Sequence, residues 1–117
     1  MTALGWHYLL DAECDGDEAP SAERLGAALR DIPSELGLNR VSEPVILPPG
    51  ASGILAGVVL IAESHLSVHV VWSERRLHAD LFSCRRFDPA AVRQAIGARF
   101  RLVRLEDTLI ERGRGTR

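Results

Sequence analysis

Ile54-Leu55-Ala56-Gly57-Val58-Val59-Leu60-Ile61-Ala62-Glu63-Ser64-His65-Leu66-Ser67-Val68-His69-Val70-Val71 is the stretch on which the reading of the fold turns. From Ile54 to Ala62 it is a near-continuous aliphatic run, as expected of a strand covered on both faces. After Glu63-Ser64-His65 the pattern becomes strict alternation, with Leu66, Val68 and Val70 on one side and Ser67 and His69 on the other. A period of two is the mark of a strand, because successive side chains leave a pleated backbone on opposite faces.

Working outward, Pro48-Pro49-Gly50-Ala51-Ser52-Gly53 is the strongest loop signal in the chain, and Val41 to Leu47 before it reads as a strand. Leu4 to Leu10 predicts a first strand, followed by an acidic turn. A helix then opens at Pro20 and Ser21 and closes at Pro33 or Gly37, with Leu25, Ala28, Leu29 and Ile32 on its apolar face. On the other side, Arg75-Arg76 suits a hairpin turn and Leu77 to Cys84 a further strand. Asp88-Pro89 starts a second helix, with Asp as cap, Pro in the first turn, and Val92, Ala95, Ile96 and Phe100 as the buried stripe. Arg101 to Leu105 returns as a last strand, and Arg112 to Arg117 reads as a frayed basic tail. The order β-α-β-β-β-β-α-β predicts an α+β fold, a two-layer sandwich with both helices on one face of an antiparallel sheet. With 117 residues, 46% of them apolar, it is read as one domain, 1–117.

Composition narrows the chemistry. The net charge of -2, with arginines interspersed among acids, gives no basic field for nucleic acid. Ala3 to Leu10 is too short for a membrane span and runs into acids, so no membrane association is expected. Two cysteines, Cys14 and Cys84, make no disulfide framework and fit a reducing cytoplasm. All fourteen basic residues are arginine. A chain without lysine has no amine for a pyridoxal phosphate linkage and no phosphate-loop lysine, so any carbonyl chemistry needs another electrophile.

Glu63-Ser64-His65, at the end of an aliphatic strand, is the feature to explain. His65 and His69 would share an ion on a helix, but four residues along a strand they stand about 13 Å apart. Ser64, His69 and Asp80 suggest a hydrolase triad, yet the glycine-flanked nucleophile elbow is missing. A third possibility is intrinsic to the serine. Its hydroxyl can attack the preceding carbonyl, exchanging amide for ester, where the backbone is strained and the leaving amine is protonated. β-Elimination then leaves dehydroalanine, which hydrolyses to a pyruvoyl group.

The stretch Ala56 to His69, with Ala79-Asp80-Leu81-Phe82-Ser83-Cys84 after it, resembles the bacterial S-adenosylmethionine decarboxylases. The resemblance implies self-cleavage between Glu63 and Ser64 into fragments 1–63 and 64–117. It implies a pyruvoyl cofactor made from Ser64, with His69 as the processing base and Cys84 as the proton donor in turnover. It also implies a small-molecule amine substrate in polyamine biosynthesis, S-adenosylmethionine first, and a homodimer of processed precursors. Three positions depart from the family pattern. Ala56 stands where a processing serine is usual, and Gly50 where an aromatic ring stacks on adenine. The ribose-holding glutamate is Glu74 only if Val70-Val71 contains a bulge. These departures leave arginine or ornithine as alternative substrates, with Glu74 or Asp80 facing the distal cation. They also leave a non-processing paralogue that acts as a binding partner of an active subunit.

Overall fold

The structure, a computed structural model, describes residues 3–113. Arg114 to Arg117 of the expected tail lie outside the described residues. Six strands, β1 (Gly5–Cys14), β2 (Val45–Leu47), β3 (Ile54–Ile61), β4 (Ser64–Val71), β5 (Arg76–Ser83) and β6 (Leu102–Arg112), form one sheet in the order β2-β3-β4-β5-β1-β6. Every neighbouring pair is antiparallel. Helices α1 (Ala22–Glu35) and α2 (Pro89–Gly97) supply Leu25, Leu29, Ile32, Val92 and Ile96 to the core against buried sheet residues, among them Leu10, Leu66, Val68 and Leu81. No helix among the described residues is long and apolar enough to cross a membrane.

The helices start where capping chemistry puts them. Ser21 accepts from the Arg24 amide and Asp88 from the Ala90 amide, and Pro89 occupies the first turn of α2. α1 continues two residues past Pro33 before Leu36 and the left-handed Gly37 (φ 73°) end it. β1 runs on through the expected acidic turn, because Asp11 and Glu13 alternate with the buried Ala12 and Cys14. β2 is shorter than expected and starts only after Pro44, although Arg40 makes an isolated bridge to Ile61. β6 is longer, continuing to Arg112 beside β1.

Two expectations need correction. β3 is covered on one face only: Leu55, Gly57, Val59 and Ile61 are buried, whereas Val58 and Leu60 are exposed. The aliphatic run therefore marks an uncovered face of the sheet. The turn between β4 and β5 is a short 3-10 segment, Trp72–Glu74, with Arg75 left-handed at φ 53°. The guanidinium of Arg75 lies 3.7 Å from the centre of the Trp72 ring.

Tyr8 ties β1 to the last strand. Its buried hydroxyl donates to Asp107 Oδ2 at 2.6 Å, and Arg93 of α2 donates to the same oxygen at 2.7 Å. The bond from Tyr8, then that from Arg93, holds the Asp107 carboxyl below the usual carboxylate range, and burial pushes the Tyr8 phenol up. A carboxyl depressed on folding contributes stability above its unfolded pKa and loses it as pH falls through the folded one. Tyr8→Phe should therefore cost about 1 to 3 kcal/mol at neutral pH. In denaturant titrations the gap to the parent should narrow under acid conditions that protonate Asp107.

Candidate active site

β3 and β4 are joined by only Ala62 and Glu63, and Glu63 takes a left-handed φ of 59°. A side chain in that conformation costs on the order of 1 kcal/mol or more unless its surroundings enforce it. Here the Ile61↔Ser64 pairing enforces it from both sides. The strained residue thus supplies the carbonyl of the Glu63–Ser64 peptide.

Ser64 opens β4 with its side chain on the helix-covered face, in phase with the buried Leu66, Val68 and Val70. Its register partners are Ile61 and Ser83. Ser83 Oγ accepts from the Arg85 amide, whereas Ser64 Oγ has no hydrogen-bond partner. It is the sole buried side-chain polar atom so placed among the described residues. A buried hydroxyl without a partner costs about 1 to 3 kcal/mol, so its persistence calls for an explanation in function.

The opposite face of the sheet carries no helix. Pairing sets Leu60, His65, Phe82, His7 and Ile110 in one row across it. Two rows away stand Ala56, His69, His78, Asp11 and Glu106. Between them, Asp80 reaches diagonally, with Oδ1 3.3 Å from His7 Nε2 and 3.9 Å from His65 Nε2. Both imidazoles lie about the Phe82 ring, at centroid distances of 5.9 and 6.0 Å. At the Ser64 end an open cleft of about 650 Å³ is lined by Leu4, Gly5, Glu63, Ser64, His65, Phe82, Arg112 and Gly113.

The five candidate residues do not gather in one place within the chain. Glu63 and Ser64 border the cleft, and Cys84 follows directly on Ser83, the register partner of Ser64, as an exposed free thiol. His69 is five residues along β4 from Ser64, about 17 Å, and on the other face. Glu74 lies beyond it in the 3-10 turn and is exposed. The ladder runs through Ile54↔Val71 and Val71↔Arg76 without a shift, so β4 has no bulge at Val70-Val71. Glu74 is therefore outside the strand, and neither strand register applies to it.

The family model for S-adenosylmethionine decarboxylase matches residues 6–113. The chain belongs to that family. The S-adenosylmethionine decarboxylase proenzyme of Thermosipho africanus is 34% identical over 88 residues, covering 72% of this chain and 64% of the relative. That of Thermococcus gammatolerans is 29% identical over 116 residues, covering 97% of this chain and 79% of the relative. With the first of these, as with several others, the chain spans less than two thirds of the relative's length. The crystal structure of the adenosylmethionine decarboxylase from Aquifex aeolicus VF5 superposes with a TM-score of 0.80 at 24% identity, over 97% of this chain and 93% of that one, and shows the shared fold.

His7, His65, Asp80 and Phe82 converge on this site without having been singled out as a group. The alternation of β1, β4 and β5 puts each on the open face, but only the pairing register, which no local pattern encodes, brings them together. The turn itself can be tested in the Ser64→Ala background. There Glu63→Gly should match or slightly exceed the parent in stability, whereas Glu63→Val should lose about 1 to 3 kcal/mol. Urea unfolding giving equal stability for Gly and Val would mean that residue 63 is not left-handed in solution.

Proposed function

We propose that this chain is a self-processing, pyruvoyl-dependent decarboxylase, a single domain cut between Glu63 and Ser64 into fragments 1–63 and 64–117. The observation that carries it is the unpartnered Ser64 hydroxyl, buried immediately after a peptide whose carbonyl residue is left-handed. In processing, Ser64 Oγ adds to the Glu63 carbonyl, the C–N bond breaks, and the hydroxyl proton ends on the freed Ser64 amine. A base then removes the Ser64 α-proton and the Glu63 carboxylate leaves from Cβ. The resulting dehydroalanine tautomerises and loses ammonia to water. The pyruvoyl group so formed supplies the electron sink for carbon dioxide loss, a task this lysine-free chain cannot give to pyridoxal phosphate.

Histidine suits the processing base because it moves protons near neutral pH. His69 is two rows from the cleft within a protomer, so the base at Ser64 is the His69 of a second copy. A two-fold stacking of open faces, with strands antiparallel, sets the His69 end of one β4 over the Ser64 end of the other. The homodimer reading is supported by the apolar residues exposed on that face: Val45, Leu47, Val58, Leu60 and Ile110. The same stacking carries Glu74 toward the second copy's cleft. Cys84, beside Ser83 and exposed, is the proton donor of turnover, and free thiols at Cys14 and Cys84 fit a cytoplasmic setting.

S-adenosylmethionine is the substrate by family. Arginine or ornithine is the second reading, favoured by Gly50, which lies in an open loop where an added Cβ would meet nothing within 4 Å and which offers no ring for adenine.

Intact mass should show a fragment ending at Glu63 and one with a pyruvoyl-blocked terminus at position 64, and Ser64→Ala should abolish both. An intact parent chain after prolonged incubation would favour the non-processing paralogue. Cys84→Ala should still cleave but release carbon dioxide about a hundredfold more slowly or worse. Turnover at the parental rate would remove Cys84 from the mechanism. Release from S-adenosylmethionine, arginine and ornithine, assayed side by side, decides the substrate.

A further inference from the structure

The cleft at Ser64 contains a cation that the processing chemistry does not use. Arg112 is the sole arginine among its described lining residues. Two glycines fix where it stands. Gly5 is its register partner on β1, and a Cβ there would fall 2.6 Å from Phe82 Cζ, so the missing side chain is replaced by the Phe82 ring. Gly113 turns at φ 84° against Leu4, whose Cβ would lie 2.7 Å from an added Cβ. The Leu4 amide donates to the Arg112 carbonyl at 2.8 Å, which pins the backbone on the other side. With the backbone held and the ring wedged over Gly5, the guanidinium carbon rests 5.2 Å from the Phe82 ring centre. An aromatic platform restricts a guanidinium to a few orientations while leaving its donors free.

Resting on the function proposed above, we infer that Arg112 binds the α-carboxylate of the substrate. S-adenosylmethionine, arginine and ornithine differ beyond the α-carbon but share that carboxylate, so the assignment does not depend on which is used. A planar guanidinium donates two parallel bonds to a carboxylate, which fixes the rotation of the carboxylate about its bond to the α-carbon. Arg112 holds the ionised carboxylate before it leaves and gains nothing as its charge disperses. Its contribution therefore falls on substrate binding rather than on the chemical step.

A rival occupant of the same guanidinium is the new carboxylate that cleavage creates at Glu63, which also lines the cleft. The test separates the two. The probes are the desamino analogue of S-adenosylmethionine, which keeps the carboxylate but has no amine to react, and the methyl ester of that analogue. Both are titrated calorimetrically into fully processed parent protein and into Arg112→Gln. The parent should bind the acid about tenfold to a hundredfold more tightly than the ester, the range of a charge-assisted hydrogen bond. Arg112→Gln should bind the two equally, and its KM for S-adenosylmethionine should rise at least tenfold with kcat within about threefold of the parent. Equal affinities in the parent overturn the assignment without reference to any variant. A preference for the acid that survives in Arg112→Gln, with slowed processing, overturns it in favour of the Glu63 carboxylate. Processing and carbon dioxide release by the parent, measured separately, report on the underlying function.

Discussion

Side chains alternate along β4, and that alternation puts Ser64 among the core residues while His69 stands on the open face at the far end of the strand. Neither can be moved without breaking the ladder, because β4 is paired in full register with β3 on one side and β5 on the other. A shift of one residue would turn Leu66, Val68 and Val70 out of the core. The same packing that stabilises the sheet therefore sets the distance between the nucleophile and the histidine proposed to assist it. The pleat directs the Ser64 hydroxyl to the helix-covered face, where it has no hydrogen-bond partner, and the short turn at Ala62-Glu63 holds the preceding carbonyl next to it.

This constraint makes the uncovered face of the sheet part of the catalytic problem. A six-stranded sheet with helices on one side leaves Val58 and Leu60, and Val45 and Leu47 beside them, open to water. Single exposed apolar residues are ordinary, but adjacent ones on neighbouring strands form a patch that favours association. Histidines and a carboxylate in the middle of that face, with Asp80 between His7 and His65, are unusual for a purely apolar contact. They suit an interface whose centre performs chemistry. Stability of the fold and completion of the site then draw on one surface, and the strand edges need not take part.

Much of the fold was legible because each element carries its own local signal. The period-two alternation after Ser64, the Ser21 and Asp88 caps and the Pro-Gly loop before Ile54 all appear where they were read. Errors arose where one pattern has two physical meanings. An aliphatic run is the same whether a strand is covered on both faces or on one, so β3 was read as doubly covered. Acids at Asp11 and Glu13 looked like a turn because the small Ala12 between them hides the alternation that continues β1. At the site, Glu63, Ser64 and Cys84 were recognisable from a motif and lie near one end of the sheet. The separation of His69 depends on strand direction and register, and the convergence of His7, Asp80 and Arg112 on the same end depends on pairing between residues far apart in sequence.

The central claim is that Ser64 of one copy is processed with the help of His69 from another. Co-expression of differently tagged Ser64→Ala and His69→Ala chains tests it most directly, with intact mass read on each chain in the purified mixed dimer. Neither variant should cleave when expressed alone. In the mixed dimer one site pairs an intact Ser64 with an intact His69, so the His69→Ala chain should be cut and the Ser64→Ala chain should remain whole. A His69→Ala chain that stays uncut in a verified mixed dimer, or that cleaves equally well alone, would contradict the account.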